Sequence, residues 1–179
     1  MNSFYSHKEL NNLGLRSFGD NVLISRFAQF YTPETVSIGS NVRIDDFCIL
    51  SGDITLKSNI HISAYCALFG KMGIEIDDYS GLSPRCTMFS ASDDFSGDFL
   101  ISPMAPSKYT NVQGGKIILQ RYVQIGAGSI VMPDLTIEEG VAVGAMSFVR
   151  KTIPAWQIYA GNPIKFVKTR NKGLLSKIG

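Results

Sequence analysis

Histidine is nearly missing from this chain. Only His7 and His61 occur in 179 residues. That excludes a three-histidine metal centre within one chain, and no metal is expected. The three cysteines are odd in number and form no CxxC pair. They argue against a disulfide scaffold and fit a reducing, cytoplasmic location. Excess charge of one sign is also lacking: 17 bases face 15 acids, a net charge of +2. This balance does not point to nucleic acid as a partner. Charged residues make up only 18%, but a hydrophobic content of 45% excludes a disordered chain. No apolar run approaches the ~20 residues that cross a bilayer, so membrane insertion is not expected. The opening MNSFYSHKELNN lacks the apolar core of an export signal.

What is present is a six-residue period. Large apolar residues fall at Ile38, Ile44, Leu50, Leu56, Ile62 and Leu68. The series resumes after a two-residue shift at Ile76, Leu82 and Met88. After a long gap it resumes again at Leu119, Ile125, Val131, Ile137, Val143 and Val149. Phe30 and Ile24 extend it backwards. A second column of apolar or small residues runs two positions ahead, through Val36, Val42, Cys48, Ile54, Ile60 and Cys66. A helix requires a 3.6-residue period and a flat strand a sustained period of two. A period of six with two inward residues fits short strands broken by turns, three to a triangular coil. The seventeen hexads predict an all-β parallel β-helix of about six coils.

The phase of the interruptions places them in space. With Ile38, Ile44 and Leu50 marking faces a, b and c, every break falls at the c-to-a corner: 31–35, 69–73 and 89–116. The long loop 89–116 therefore leaves the prism at one edge, where a rigid scaffold holds a variable segment. The chain reads as a single domain over 1–179. It has an N-terminal cap over 1–20, the β-helix over 21–152 and a tail over 153–179. Short helices are expected over 4–13 and 163–178 as end caps. Cys48, Cys66 and Cys86 are expected as a buried ladder of small apolar residues.

The hexads, the stretches IGAGSIVMPDLTI and VGAMSFVRK, and the tail segments Lys151-Thr152-Ile153-Pro154 and Ala160-Gly161-Asn162-Pro163 resemble the left-handed β-helix hexapeptide-repeat acyltransferases. Within them the chain is similar to the bacterial sugar acetyltransferases, both O- and N-directed, over about residues 18–170. The resemblance implies a left-handed coil, acetyl-CoA as cosubstrate, and a homotrimer with active sites between subunits.

The residues themselves fit such a reading. No acid follows Glu139, whereas 140–179 hold seven bases. Positive potential at this end suits the phosphates of coenzyme A. Arg150, Lys151 and Lys168 match positions that hold those phosphates or the adjacent arm in similar enzymes. Small residues at Gly126, Ala127, Gly144 and Ala145 would let the pantetheine arm approach the backbone. In many galactoside-type relatives the long loop carries a catalytic histidine. Here the matching stretch is Ser90-Ala91-Ser92-Asp93-Asp94, which leaves Asp93, Asp94 or His61 to handle the proton. Ser90 and Ser92 are expected at the acceptor. Tyr79, Phe89, Phe95, Phe99 and Tyr109 are candidate platforms for a sugar or nucleobase.

Proton chemistry favours an amine acceptor. A sugar hydroxyl is almost never ionised at neutral pH, so its acylation leans on a general base. An amine with a pKa near ~7.7–8.0 is already partly neutral. A loop without histidine thus suits acetyl transfer to the amino group of a nucleotide-linked sugar for surface polysaccharide. The alternative is a sugar O-acetyltransferase with His61 as base. A non-catalytic assembly β-helix is a third reading, but it leaves the basic tail and the Ala160-Gly161-Asn162-Pro163 segment without a purpose.

Overall fold

The computed structural model describes residues 3–177. The chain winds into a parallel β-solenoid. Face b stacks seven strands, Leu23–Ile24, Val42–Ile44, Ile60–Ile62, Gly81–Leu82, Gln124–Ile125, Ala142–Val143 and Gln157–Ala160, each parallel to the next. Faces c and a stack likewise, and the strands Ile49–Leu56 and Ala67–Ile76 run unbroken through their shared corner. The solenoid has about seven turns rather than six. Phe18 pairs with Ile38 as an additional rung at the start. At the far end Ile153 bridges Ile137, and Tyr159 pairs with Val143. The final rungs slip two residues out of the eighteen-residue phase, which hides them from the hexad pattern.

Both inward columns are buried and form one core. Cys48, Cys66 and Cys86 lie in it as free thiols. The N-terminal cap is a single turn, His7–Asn11, closed by a reciprocal capping box between Ser6 and Glu9. Glu9 also takes two hydrogen bonds from Arg26, at 2.7 Å each. These bonds and those of Ser6 lower its carboxyl pKa to about 2.

The expected C-terminal helix does not form. The tail folds instead as an antiparallel hairpin, Gln157–Ala160 with Lys165–Thr169, followed by a short 3-10 turn, Gly173–Lys177. Ile158, Tyr159, Phe166 and Val167 favour strand, and the open edge of face b offers them backbone partners.

Left-handed residues recur at two corners, and at the a-to-b corner the asparagines of the first coils give way to Tyr79, Tyr122 and Trp156. At the a-to-b corner Asn21, Asn41 and Asn59 have φ of 51°, 57° and 60°, and their side chains form a ladder. Asparagine tolerates this conformation. At the b-to-c corner the corresponding residues are Phe47, Tyr65, Arg85 and Met146, with φ of 61°, 63°, 63° and 57°. Each costs about 1–2 kcal/mol in that conformation. Phe27, Phe47 and Tyr65 stack in series at 5.5 and 5.0 Å, and Arg85 lies 5.5 Å over the Tyr65 ring. All three rings stay about half exposed, and Met146 is 74% exposed.

Candidate active site

The loop leaves face c as the sequence pattern requires. Its two ends pair as a hairpin, Ala91–Asp93 against Val112–Gly114, with Asp93 opposite Val112. Ser90 anchors the root. Its hydroxyl donates to the Phe69 carbonyl at 3.1 Å and accepts from the Met72 N–H at 2.8 Å. It is fully buried, so the expected contact of Ser90 with an acceptor is corrected: it fastens the loop to the 69–73 insertion.

Between loop and prism lies a cavity of about 850 Å³. Ser51, Phe69, Lys71 and Phe89 line it from the prism, Ser92 and Asp93 from the hairpin, and segments between 102 and 112 from the loop. Asp93 and Asp94 part company here. Asp93 lines the cavity. Asp94 accepts from the Ser96 N–H and Asn111 Nδ2, both at 2.8 Å, and from Gln113 Nε2 at 3.4 Å. Its bonds with Ser96 and then Asn111 hold its carboxyl below the usual carboxylate range. Asp94 shapes the hairpin that carries Asp93. Tyr109 lies in a separate recess of the loop with Phe99 and Leu100, and the structure does not bring it to Asp93's cavity.

A second pocket lies on face b, lined by His61, Ser63, Tyr79, Gly81, Ser83 and Gln124 among others. His61 points outward between Arg43 and Gly81, as its hexad position requires. Its Nε2 lies 2.7 Å from Asp45 Oδ2, and Arg43 Nε lies 2.7 Å from Asp45 Oδ1. Partial burial opposes ionisation of Asp45. The hydrogen bonds from His61 and Arg43 outweigh it and hold the carboxyl below its ordinary value. The two pockets share no lining residue. Ser83 carries no signal in the hexad pattern and was missed by it.

The small residues expected to admit a cofactor lie at the b-to-c corner of the upper coils. Packing already explains two of them. A Cβ on Gly126 would meet the Ala145 nitrogen at 2.4 Å, and one on Gly144 would meet Ala160 Cβ at 2.8 Å. Gly126→Ala is therefore expected to destabilise the fold by about 1–3 kcal/mol, measured by denaturant unfolding. Unchanged stability would mean that the coils separate freely. The N–H groups of Ala127 and Ala145 meet no acceptor among the described residues. Arg150 and Lys168 are exposed at the same end, and Lys151 lies 5.8 Å over the Tyr159 ring. Arg170 has a different task. Its Nη1 donates to the carbonyls of Tyr122, Gly140 and Val141, which ties the tail to the a-to-b corner. Burial lowers its pKa. Among the described residues no group of three or more His, Cys, Asp and Glu is placed to hold a metal ion. No helix among them is long and apolar enough to cross a membrane.

A parallel β-solenoid with one extruded loop and a pocket on either side of an edge is the architecture of a β-helix acyltransferase. No family model matches the sequence, but individual relatives do. The chain is 41% identical over 170 residues to the dTDP-4-amino-4,6-dideoxy-D-glucose acyltransferase of Escherichia coli, covering 93% of this chain and 88% of that one. A shorter stretch of 74 residues is 34% identical to the putative lipopolysaccharide biosynthesis O-acetyl transferase WbbJ of E. coli K12, covering 41% of this chain and 38% of that one. Among solved structures, the fold matches AntD, an N-acyltransferase from Bacillus cereus. A complex of an AntD variant with dTDP-4-amino-4,6-dideoxyglucose and coenzyme A superposes with a TM-score of 0.96 at 50% identity, over 99% of this chain and 96% of that one. A second AntD complex contains dTDP and 3-hydroxybutyryl-CoA, with the same TM-score and identity, over 99% of this chain and 95% of that one. The chain belongs to the family of sugar acyltransferases that these enzymes represent, and the non-catalytic reading falls.

Proposed function

We propose that this chain is a hexapeptide-repeat N-acyltransferase. It moves the acyl group of acyl-CoA, acetyl-CoA being the donor expected from sequence, to the amino group of a dTDP-linked 4-amino-4,6-dideoxy sugar. The place is the cytoplasm, where acyl-CoA is held, and the product is destined for surface polysaccharide such as lipopolysaccharide. The observation that carries this is Asp93 in a cavity of nucleotide-sugar size. The AntD complexes include variants at a serine and at an aspartate ten residues further along. In this chain Asp93 is the aspartate with a serine ten residues before it, Ser83.

The chemistry balances without a loop histidine. The amine nitrogen attacks the thioester carbonyl, the C–N bond forms, and the C–S bond breaks. The nitrogen sheds one proton, and the departing thiolate, with a pKa near ~8.5, takes one up. Asp93 orients the amine by accepting hydrogen bonds from its N–H groups, and it relays the proton that the nitrogen sheds towards the departing thiolate. Arg150, Lys151 and Lys168 supply charge for the phosphates of the donor. Gly126 and Gly144 let the coils stack closely at this corner, and the N–H groups of Ala127 and Ala145 beside them serve as donors to its arm.

Ser83 and Asp93 occupy different pockets, on different faces of one chain. A homotrimer reconciles them. Three parallel prisms with their b-to-c edges on a common axis set face c of each against face b of the next. The loop of one copy then overhangs the His61 and Ser83 pocket of its neighbour. The aromatic edge supports this arrangement, since Phe47 and Tyr65 are held in a costly left-handed conformation with about half their surface exposed, and association would bury that surface.

The Asp45–His61 pair favours one other reading. With Nε2–H donating to Asp45, Nδ1 keeps a lone pair and suits a general base for O-acyl transfer. Two acceptors separate the readings: dTDP-4-amino-4,6-dideoxyglucose and its 4-hydroxy counterpart, assayed by thiol release from acetyl-CoA. Turnover of the amine alone is expected. Its rate should rise with pH, reach half its maximum near pH ~8 and level off about one unit higher, as an amine of that class loses its proton. Preference for the hydroxyl compound would move His61 to the centre.

A further inference from the structure

We propose that the nucleobase of the acceptor stacks in a gap in an aromatic ladder on face c, against Phe69 and over Ser51, with its diphosphate facing Lys71. The assignment rests on the reading of the acceptor as a nucleotide-linked sugar. Tyr31, Ser51, Phe69 and Phe89 occupy one outward column in register on four successive coils. The rings of Phe69 and Phe89 stack with centroids 5.3 Å apart and planes 8° from parallel. The ladder then misses a rung. Ser51 stands where a third ring would continue it, and Tyr31 follows one coil below. Strands stack at about 4.8 Å, so the gap from Phe69 to Tyr31 is roughly two spacings. A planar ring midway would lie within the ~4.5–7 Å range of aromatic stacking on each side.

The gap opens into the Asp93 cavity. Ser51, Phe69, Lys71 and Phe89 all line it. Lys71 is the one basic side chain among its lining residues, and among the described residues no carboxylate pairs with it. It sits two residues beyond Phe69, on the insertion that Ser90 fastens to the loop. Base recognition, diphosphate charge and the carboxylate for the amine thus share one cavity: the base at the Ser51 end, the amino sugar towards Asp93. An aromatic face provides sequence-tolerant stacking for a base, and a lysine provides a point charge for phosphate.

Calorimetric titration of the full chain with dTDP, thymidine and coenzyme A tests this. Phe69→Ala is expected to raise the dTDP Kd about tenfold or more, the scale of a lost base–aromatic stack. Ser51→Phe, which fills the missing rung, should do the same, while Phe69→Tyr keeps wild-type affinity. Lys71→Gln should weaken dTDP and leave thymidine unchanged. Coenzyme A affinity should hold in all four. A dTDP Kd that changes by less than about twofold in both Phe69→Ala and Ser51→Phe would overturn the slot. Wild-type protein that binds no dTDP would overturn the slot and the nucleotide-sugar reading together. If dTDP binding follows the expected pattern but no amino sugar is acylated, the slot stands and the proposed reaction fails.

Discussion

Asp93→Ala is expected to lower kcat/KM for acyl transfer by about 10²-fold or more, the scale of a lost proton-handling group. The loss should appear mainly in kcat, because the stacking and phosphate contacts of the nucleotide do not involve this carboxylate. Asp93→Asn keeps the shape of the side chain and removes its charge, so it should behave like the alanine variant. Asp94→Ala is the informative control. Its carboxylate is engaged by Ser96, Asn111 and Gln113, and its loss should loosen the hairpin and raise KM with a smaller effect on kcat. If Asp94→Ala costs as much in kcat as Asp93→Ala, the assignment of roles is reversed.

The second large effect concerns the aromatic edge. Phe47→Asp combined with Tyr65→Asp places like charges at the centre of the proposed threefold contact. The expected outcome is a monomer by sedimentation, with transfer activity lost. Each chain should keep its β-sheet circular dichroism, because both rings lie outside the core cluster. The substitution also removes two bulky side chains from left-handed positions, so the isolated coil loses little. A trimer that persists, or a monomer that still transfers acyl groups, would rule out the edge as the contact that completes the site.

How much of this was legible in the residues differs by feature. The hexads gave the solenoid, its inward columns, the cysteine ladder and the corner at which the loop departs, because the eighteen-residue coil repeats in sequence as in space. The tail was misread where that register slips by two residues, between Val143 and Tyr159. Once the phase is lost, strand-favouring residues such as Phe166 and Val167 look like part of a helix face. The site was legible in outline only. Asp93 and Asp94 are neighbours of the same type, and only the pairing of Asp93 with Val112 decides which one faces the cavity. Ser90 looked like a binding residue, but its hydroxyl has two backbone partners that no local pattern announces. Gly126 and Gly144 looked like room for a cofactor, yet the coil above each already requires the missing side chain. Ser83 is one outward serine among several, and it gains meaning only from the pocket it shares with His61.

Mixing two inactive variants tests most directly whether two copies build one site. Ser83→Ala and Asp93→Ala are purified separately, dissociated, combined in equal amounts and reassembled. Transfer from acetyl-CoA to dTDP-4-amino-4,6-dideoxyglucose is then measured. If Ser83 of one copy works with Asp93 of the next, random assembly leaves about one quarter of the sites intact, and activity should return to roughly that fraction of wild type. Activity that stays at the level of the separate variants would place both residues in the same chain's site and contradict a shared one.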